Sequence, residues 1–189
     1  MTAAMKPFPG TLLYPVGGPG TPPDADLRTA WPNKTFRHIT AWSRDLQQAL
    51  ETIEQCAFSP DLRYTFDEMV ERAARPGFEG LLVSDGEGPA AIVLVYQLDD
   101  DASDSRGTLY LDTLAVRDRG RGMGTRLLTF LIRRSTDAGL SRIVLDTEGA
   151  ASELPGYYRR FGFRPVRTER RSGNVTMELS LPPPGSSGR

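Results

Sequence analysis

Six consecutive residues, Arg119-Gly120-Arg121-Gly122-Met123-Gly124, have the composition of an anion site. An apolar strand pattern, Leu109 to Val116, precedes them. A run from Thr125 to Ala138 follows, in which Leu127, Leu128, Leu131 and Ile132 recur at helical spacing. A strand, a glycine-rich bend and a helix start leave backbone N–H groups pointing outward, and the helix macrodipole adds about +0.5 charge there. Glycines let the backbone approach a ligand that a Cβ would block. Arg117, Arg119, Arg121 and Arg126 crowd the same turn and repel one another unless an anion sits among them. The expected chemistry is binding of a phosphate-bearing ligand. Two phosphate loops fit poorly. A P-loop needs Lys and then Ser or Thr after its last glycine, where this chain has Thr125-Arg126. A dinucleotide fingerprint needs G-x-G-x-x-G, and the glycines here fall at 120, 122 and 124.

The elements that must position this loop are legible on both sides of it. Lys34 to Trp42 reads as a first strand, and Ser43 as the cap of a helix over about Arg44 to Ala57. Thr65 and Glu68 form a capping box for a second helix to about Ala74, which Pro76-Gly77 ends. Strands Gly80–Ser84 and Pro89–Leu98 flank a hairpin signal, Asp85-Gly86-Glu87-Gly88. After the loop and its helix, Gly139 marks a helix end and Ser141 to Thr147 a strand. A short helix from about Pro155 and strands Arg164–Glu169 and Val175–Leu181 complete the pattern. Residues 1–33 form a Pro/Gly-rich irregular arm that Leu12, Leu13 and Tyr14 can pin to the body. Residues 34–181 form the domain, and 182–189 read as a disordered tail. The order β-α-α-β-β-β-α-β-α-β-β is an α+β layout (α/β/α) around a single mixed, mostly antiparallel sheet flanked by helices.

Composition narrows the function classes. The 189 residues carry a formal net charge of −1, which gives no basis for nucleic acid or an anionic membrane as a partner. No apolar run approaches the roughly 18 residues of a membrane span. Cys56 is the single cysteine, so no intrachain disulfide forms, which suits a cytoplasmic protein. With His38 the single histidine, a zinc site lacks ligands, and no metal is expected. His38 reads as structural, and Cys56, beside Ala57 and Phe58, as a buried inert thiol.

Two spacings carry a resemblance. Arg119, Gly122 and Gly124 fit R/Q-x-x-G-x-G/A, and Pro155-Gly156-Tyr157-Tyr158-Arg159-Arg160-Phe161-Gly162-Phe163 places a tyrosine four residues before Gly-Phe. In this order, about forty residues apart, they resemble motifs A and B of the GNAT superfamily of N-acetyltransferases. The resemblance spans about Thr35 to Leu181 and is sharpest from Leu109 to Phe163. It implies the GNAT fold and direct transfer of an acetyl group from acetyl-CoA to a primary amine. The acceptor, a small molecule or a peptide, is left unnamed. A non-catalytic acyl-CoA-binding sensor or partner module is the alternative, and a homodimer is compatible with the family.

The resemblance also implies roles residue by residue. The pyrophosphate lies on backbone N–H groups of Arg119, Gly120, Arg121, Gly122, Met123, Gly124 and Thr125. Backbone groups of Leu114, Ala115 and Val116 hold the pantetheine arm, with the Leu114 N–H near the acetyl oxygen. Tyr158 is the general acid for the departing thiolate, and Tyr157 the core residue of the pair. Asp112 is the candidate base or substrate anchor, and strand alternation puts it on one face with Tyr110 and Leu114. Asp146 is a weaker carboxylate candidate. The chain departs from the pattern twice. Val116 to Arg119 is about two residues short, which demands a tighter turn. Ala151 stands where the family often has an asparagine, with Ser152 as its substitute. The acidic run Asp99-Asp100-Asp101 with Asp104 is a candidate for steering a cationic amine. The acceptor is expected to be chosen by the regions 43–74 and 167–175.

Overall fold

The computed structural model describes residues 12–13, 25–57, 63–98, 107–149 and 153–183. Its elements run α1 Ala25–Ala30, β1 Thr35–Ile39, α2 Arg44–Ala57, α3 Phe66–Ala73, β2 Glu79–Asp85, β3 Gly88–Leu98, β4 Thr108–Val116, α4 Met123–Asp137, β5 Arg142–Thr147, α5 Leu154–Arg159, β6 Arg164–Thr168 and β7 Val175–Ser180. The seven strands form one sheet in the order β1-β2-β3-β4-β5-β7-β6. Every pair is antiparallel except β4–β5. The expected mixed, mostly antiparallel sheet flanked by helices is therefore observed.

Strand alternation divides the core in two. On one face, Leu127, Leu128 and Leu131 of α4 and Tyr158 of α5 pack against Leu81, Val93, Leu109, Ile143 and Leu145. On the other, Leu46, Ala49, Leu50 and Ile53 of α2 and Met69 of α3 pack against Leu82, Ile92, Leu94 and Tyr96. Each fully buried leucine contributes about 1.5–3 kcal/mol, which is what holds short helices that would not form alone.

Three local differences from the sequence expectation have simple causes. The arm contains α1, in which Ala25, Leu27, Arg28 and Ala30 are good helix formers, with Asp26 in the first turn, Leu27 buried and an ion pair from Arg133 to Asp26. Leu12 and Leu13 are buried, and their N–H groups donate to the two oxygens of Glu79 at 2.7 and 2.9 Å. Helix α4 begins at Met123 rather than Thr125, because the apolar Met123 is buried and Gly122 takes the left-handed conformation at the N-cap. Cys56, expected to be buried, is exposed. It lies one turn from exposed Thr52, off the stripe formed by Leu46, Leu50 and Ile53. His38 Nε2 lies 3.3 Å from Glu79 Oε2.

Candidate active site

The site is a wedge in the sheet. Strands β4 and β5 pair only at Thr108–Tyr110 with Arg142–Val144. Beyond that point β4 continues along β3 to Val116, and β5 along β7 to Thr147. The two facing edges, Leu111–Val116 and Leu145–Thr147, are left unpaired with each other among the described residues. Leu114, Ala115 and Val116 thus lie on a strand edge that an extended ligand could follow.

The glycine loop closes one end of this wedge. Gly120 and Gly122 have φ of +80° and +77°, a backbone that L side chains rarely adopt, although a Cβ on either would meet open space. Conformation, rather than room for a ligand, is what requires glycine at these two positions. The first helical bond of α4 runs from the Arg126 N–H to the Gly122 carbonyl at 3.1 Å, and no side chain caps the helix. The N–H groups of Gly122, Met123, Gly124 and Thr125 are therefore outside the helical ladder, with no acidic residue in the first turn. This arrangement suits an anion. The short connection is braced by Arg117, whose guanidinium contacts Asp85, Glu87 and Asp118 at 3.1–3.2 Å. A hydrogen bond from Lys34 and others from the Glu87 N–H and Arg117 hold Asp85 down at about 2.

The tyrosine pair of α5 reverses one expectation. Tyr158 is the core residue, 9% exposed, with its ring edge-on to Tyr157 and Phe163. Tyr157 is partly exposed, yet its hydroxyl is buried without a hydrogen bond of normal geometry. That hydroxyl points at the start of α4: a Cβ on Gly124 would lie 3.4 Å from it, and Thr125 lowers its proton affinity against the dominant effect of burial. Burial pushes the Tyr158 phenol far up.

The opposite face of the sheet carries the carboxylates. A bulge between Leu111 and Thr113 leaves Asp112 as the extra residue opposite Leu94 and Val95. The bulge breaks the alternation, so Asp112 does not share a face with Leu114 as expected. Leu114 packs with the α4 core, whereas Asp112 turns with Tyr110 and Ala115 towards α2 and α3. Its side chain is 2% exposed and paired with Arg72 of α3, and Thr113 donates a further bond at 3.0 Å. Burial raises the Asp112 proton affinity, and Arg72 works against it. Arg72 also lies 4.2 Å from the centre of the Tyr64 ring. Asp146 is exposed and accepts from Tyr110 at 2.8 Å and Thr176 at 2.5 Å. Tyr96 stacks on Tyr110 with centroids 4.8 Å apart and accepts from Arg75 at 2.9 Å.

Glu54 joins this face, and sequence reasoning missed it. The signal was a charged residue at i+4 from Leu50 and i+8 from Leu46, on the core stripe of α2. Ala151, Ser152 and the Asp99–Asp104 run lie outside the described residues. Among the described residues no cluster of acidic, histidine or cysteine side chains could hold a metal ion, and no helix is long and apolar enough to cross a membrane.

The model of the acetyltransferase (GNAT) family matches residues 44–163. The chain belongs to the GNAT acetyltransferase family. This span runs from the first residue of α2 to the end of the second motif, so it contains the glycine loop, Asp112 and both tyrosines. No curated protein matches. Solved structures share the fold at low identity. The ribosomal-protein-S18-alanine N-acetyltransferase from Escherichia coli is 17% identical with a TM-score of 0.61, over 82% of this chain and 99% of that one. Arabidopsis thaliana Naa50 in complex with the bisubstrate analogue CoA-Ac-MVNAL is 16% identical with a TM-score of 0.60, over 79% and 99%. The structure of yncA from Salmonella typhimurium with its cofactor acetyl-CoA is 17% identical with a TM-score of 0.57, over 79% and 95%.

Proposed function

We propose that this GNAT chain transfers an acetyl group from acetyl-CoA to a primary amine, directly, within a ternary complex. The observation that carries the proposal is the uncapped N-terminus of α4 beside a wedge whose β4 edge is unpaired. Four N–H groups and the helix dipole would hold the pyrophosphate on the loop from Arg119 to Thr125, and the Tyr157 hydroxyl supplies a further buried polar contact there. The pantetheine arm would follow Leu114, Ala115 and Val116 as an added strand, with the Leu114 N–H polarising the thioester carbonyl. Structures of similar fold with acetyl-CoA or a CoA-peptide analogue bound support this placement of the donor.

The chemistry then divides between the two faces of the sheet. Tyr158, on the α4–α5 face, would serve the departing sulfur. A thiolate, with a parent thiol near 8.5, is a weak base, and burial makes the phenol reluctant to ionise. Its role is therefore donation of a hydrogen bond to the sulfur more than full proton release. Asp112 is committed to Arg72, which fits an anchor for the α3 side of the acceptor site better than a free base. Direct transfer is favoured because Cys56, the single thiol, lies on the solvent side of α2.

A phenol that can serve the departing sulfur on one face and a buried carboxylate that can anchor the acceptor on the other favour an enzyme over a binding module, which needs the loop alone. Incubation with isotope-labelled acetyl-CoA and a panel of primary amines tests the proposal: the label should appear on one amine class. Label that stays in acetyl-CoA or appears only as free acetate, with saturable acetyl-CoA binding, would contradict it.

A further inference from the structure

One buried ionisable group has no role in the account above. Glu54 has no exposed surface (0%), and among the described residues neither of its carboxylate oxygens has a hydrogen-bond partner of normal geometry. Burying an unpartnered carboxylate costs several kcal/mol, so its presence calls for a compensating function or guest. The two strand carboxylates described above are occupied, Asp112 by Arg72 and Thr113, Asp146 by Tyr110 and Thr176. The groups whose charge reaches Glu54 are Arg63 and the Tyr64 N–H from the segment before α3, Glu51 from its own helix, and Asp112 from β4. The Tyr64 N–H is aimed at the carboxylate and works against the effect of burial, but no described group closes a hydrogen bond of normal geometry with it.

Position matters as much as vacancy. Helix α2 packs on the face of β4 opposite α4 and its phosphate loop, so the sheet separates the donor's anchoring groups from Glu54 and Asp112. Asp112, whose charge reaches Glu54, stands on the stretch of β4 that is unpaired with β5, so Glu54 lies behind that edge on the α2–α3 face. We propose that Glu54 takes the proton that the acceptor ammonium must lose before its nitrogen attacks the thioester. The proposal rests on the acetyl-transfer reading above and names the base that reading lacks.

The step balances. One N–H bond of the ammonium breaks and one O–H bond forms on Glu54, directly or through one water. The freed nitrogen lone pair attacks the carbonyl carbon, the C–S bond breaks, and the thiolate leaves towards Tyr158. The second nitrogen proton ends on the sulfur, giving the amide and a free thiol, and Glu54 returns its proton to solvent. A base works best with a proton affinity near the working pH. Burial lifts Glu54 to about 7, whereas Asp112 is held by a guanidinium.

Glu54→Gln keeps the shape and removes the base. Two measurements on the full chain test the idea. The first is the pH dependence of acetyl transfer to a free-N-terminus peptide, a lysine peptide, spermidine and an aminoglycoside. Wild type should lose kcat/KM below a midpoint near 7, and Glu54→Gln should be about 100-fold slower with that limb gone and acetyl-CoA affinity unchanged. A variant with the wild-type rate and pH profile would overturn the proposal. The second is carboxyl NMR of glutamate-labelled protein, in which the signal missing from Glu54→Gln should titrate near 7. A Glu54 signal titrating in the ordinary carboxylate range would overturn it even before a competent amine is known. Wild type inert towards every amine would instead contradict the transfer reading, and with it this role.

Discussion

Tyr110 donates its hydroxyl to Asp146 at 2.8 Å across the apex of the wedge. Tyr110 is the last residue of β4 paired with β5, and Asp146 stands two residues beyond its partner Val144. The bond therefore clasps the strands where backbone pairing stops. Burial and the Asp146 carboxylate both push the Tyr110 proton affinity up, so the clasp persists through neutral and alkaline pH. Tyr110→Phe should cost about 1 kcal/mol in urea unfolding and weaken acetyl-CoA binding several-fold by calorimetry. Unchanged affinity would show that the clasp does not set the wedge.

Gly122 is needed for its backbone alone, because a Cβ there meets nothing. Gly122→Ala should cost about 1–2 kcal/mol of stability and reduce acetyl-CoA affinity at least tenfold by disturbing the start of α4. Gly86, also in open space but without positive φ, provides the control: Gly86→Ala should leave affinity unchanged.

Tyr158→Phe should slow turnover by about 10–100-fold while leaving acetyl-CoA affinity within a factor of two. Tyr157→Phe should do the reverse, weakening affinity more than turnover, because its hydroxyl faces the loop. Equilibrium binding and initial rates on the same preparations separate the two.

Stability should fall as pH rises from 4.5 to about 7. Glu54 binds its proton more tightly in the folded chain, at about 7 against 4.5 for an ordinary glutamate. Its contribution is complete below 4.5 and is lost as pH climbs to 7, up to about 3 kcal/mol. Glu54→Gln should accordingly match wild type near pH 4.5 and exceed it at pH 8, as thermal unfolding across that range will show.

The glycine loop, the succession of strands and helices from β1 onward and the tyrosine motif were legible because backbone conformation and periodicity are written locally. Gly120, Gly122 and Gly139 each mark a positive φ, and the stripes of α2 and α4 report the face they bury. The side-chain arrangement of the site was less legible. A bulge at Asp112 adds one residue to a period of two and moves that carboxylate away from Leu114, which no pattern in β4 announces. Arg72, forty residues from Asp112, becomes its partner only when α3 docks. Tyr157 and Tyr158 differ by about one-third of a helical turn, so spacing alone could not say which one enters the core.

Release of free thiol from acetyl-CoA, with and without each amine of the panel, tests the central claim most directly. The account predicts release that depends on one class of primary amine, saturates with it, and falls in both Glu54→Gln and Tyr158→Phe. Saturable acetyl-CoA binding with no amine-dependent release from any member of the panel would contradict it.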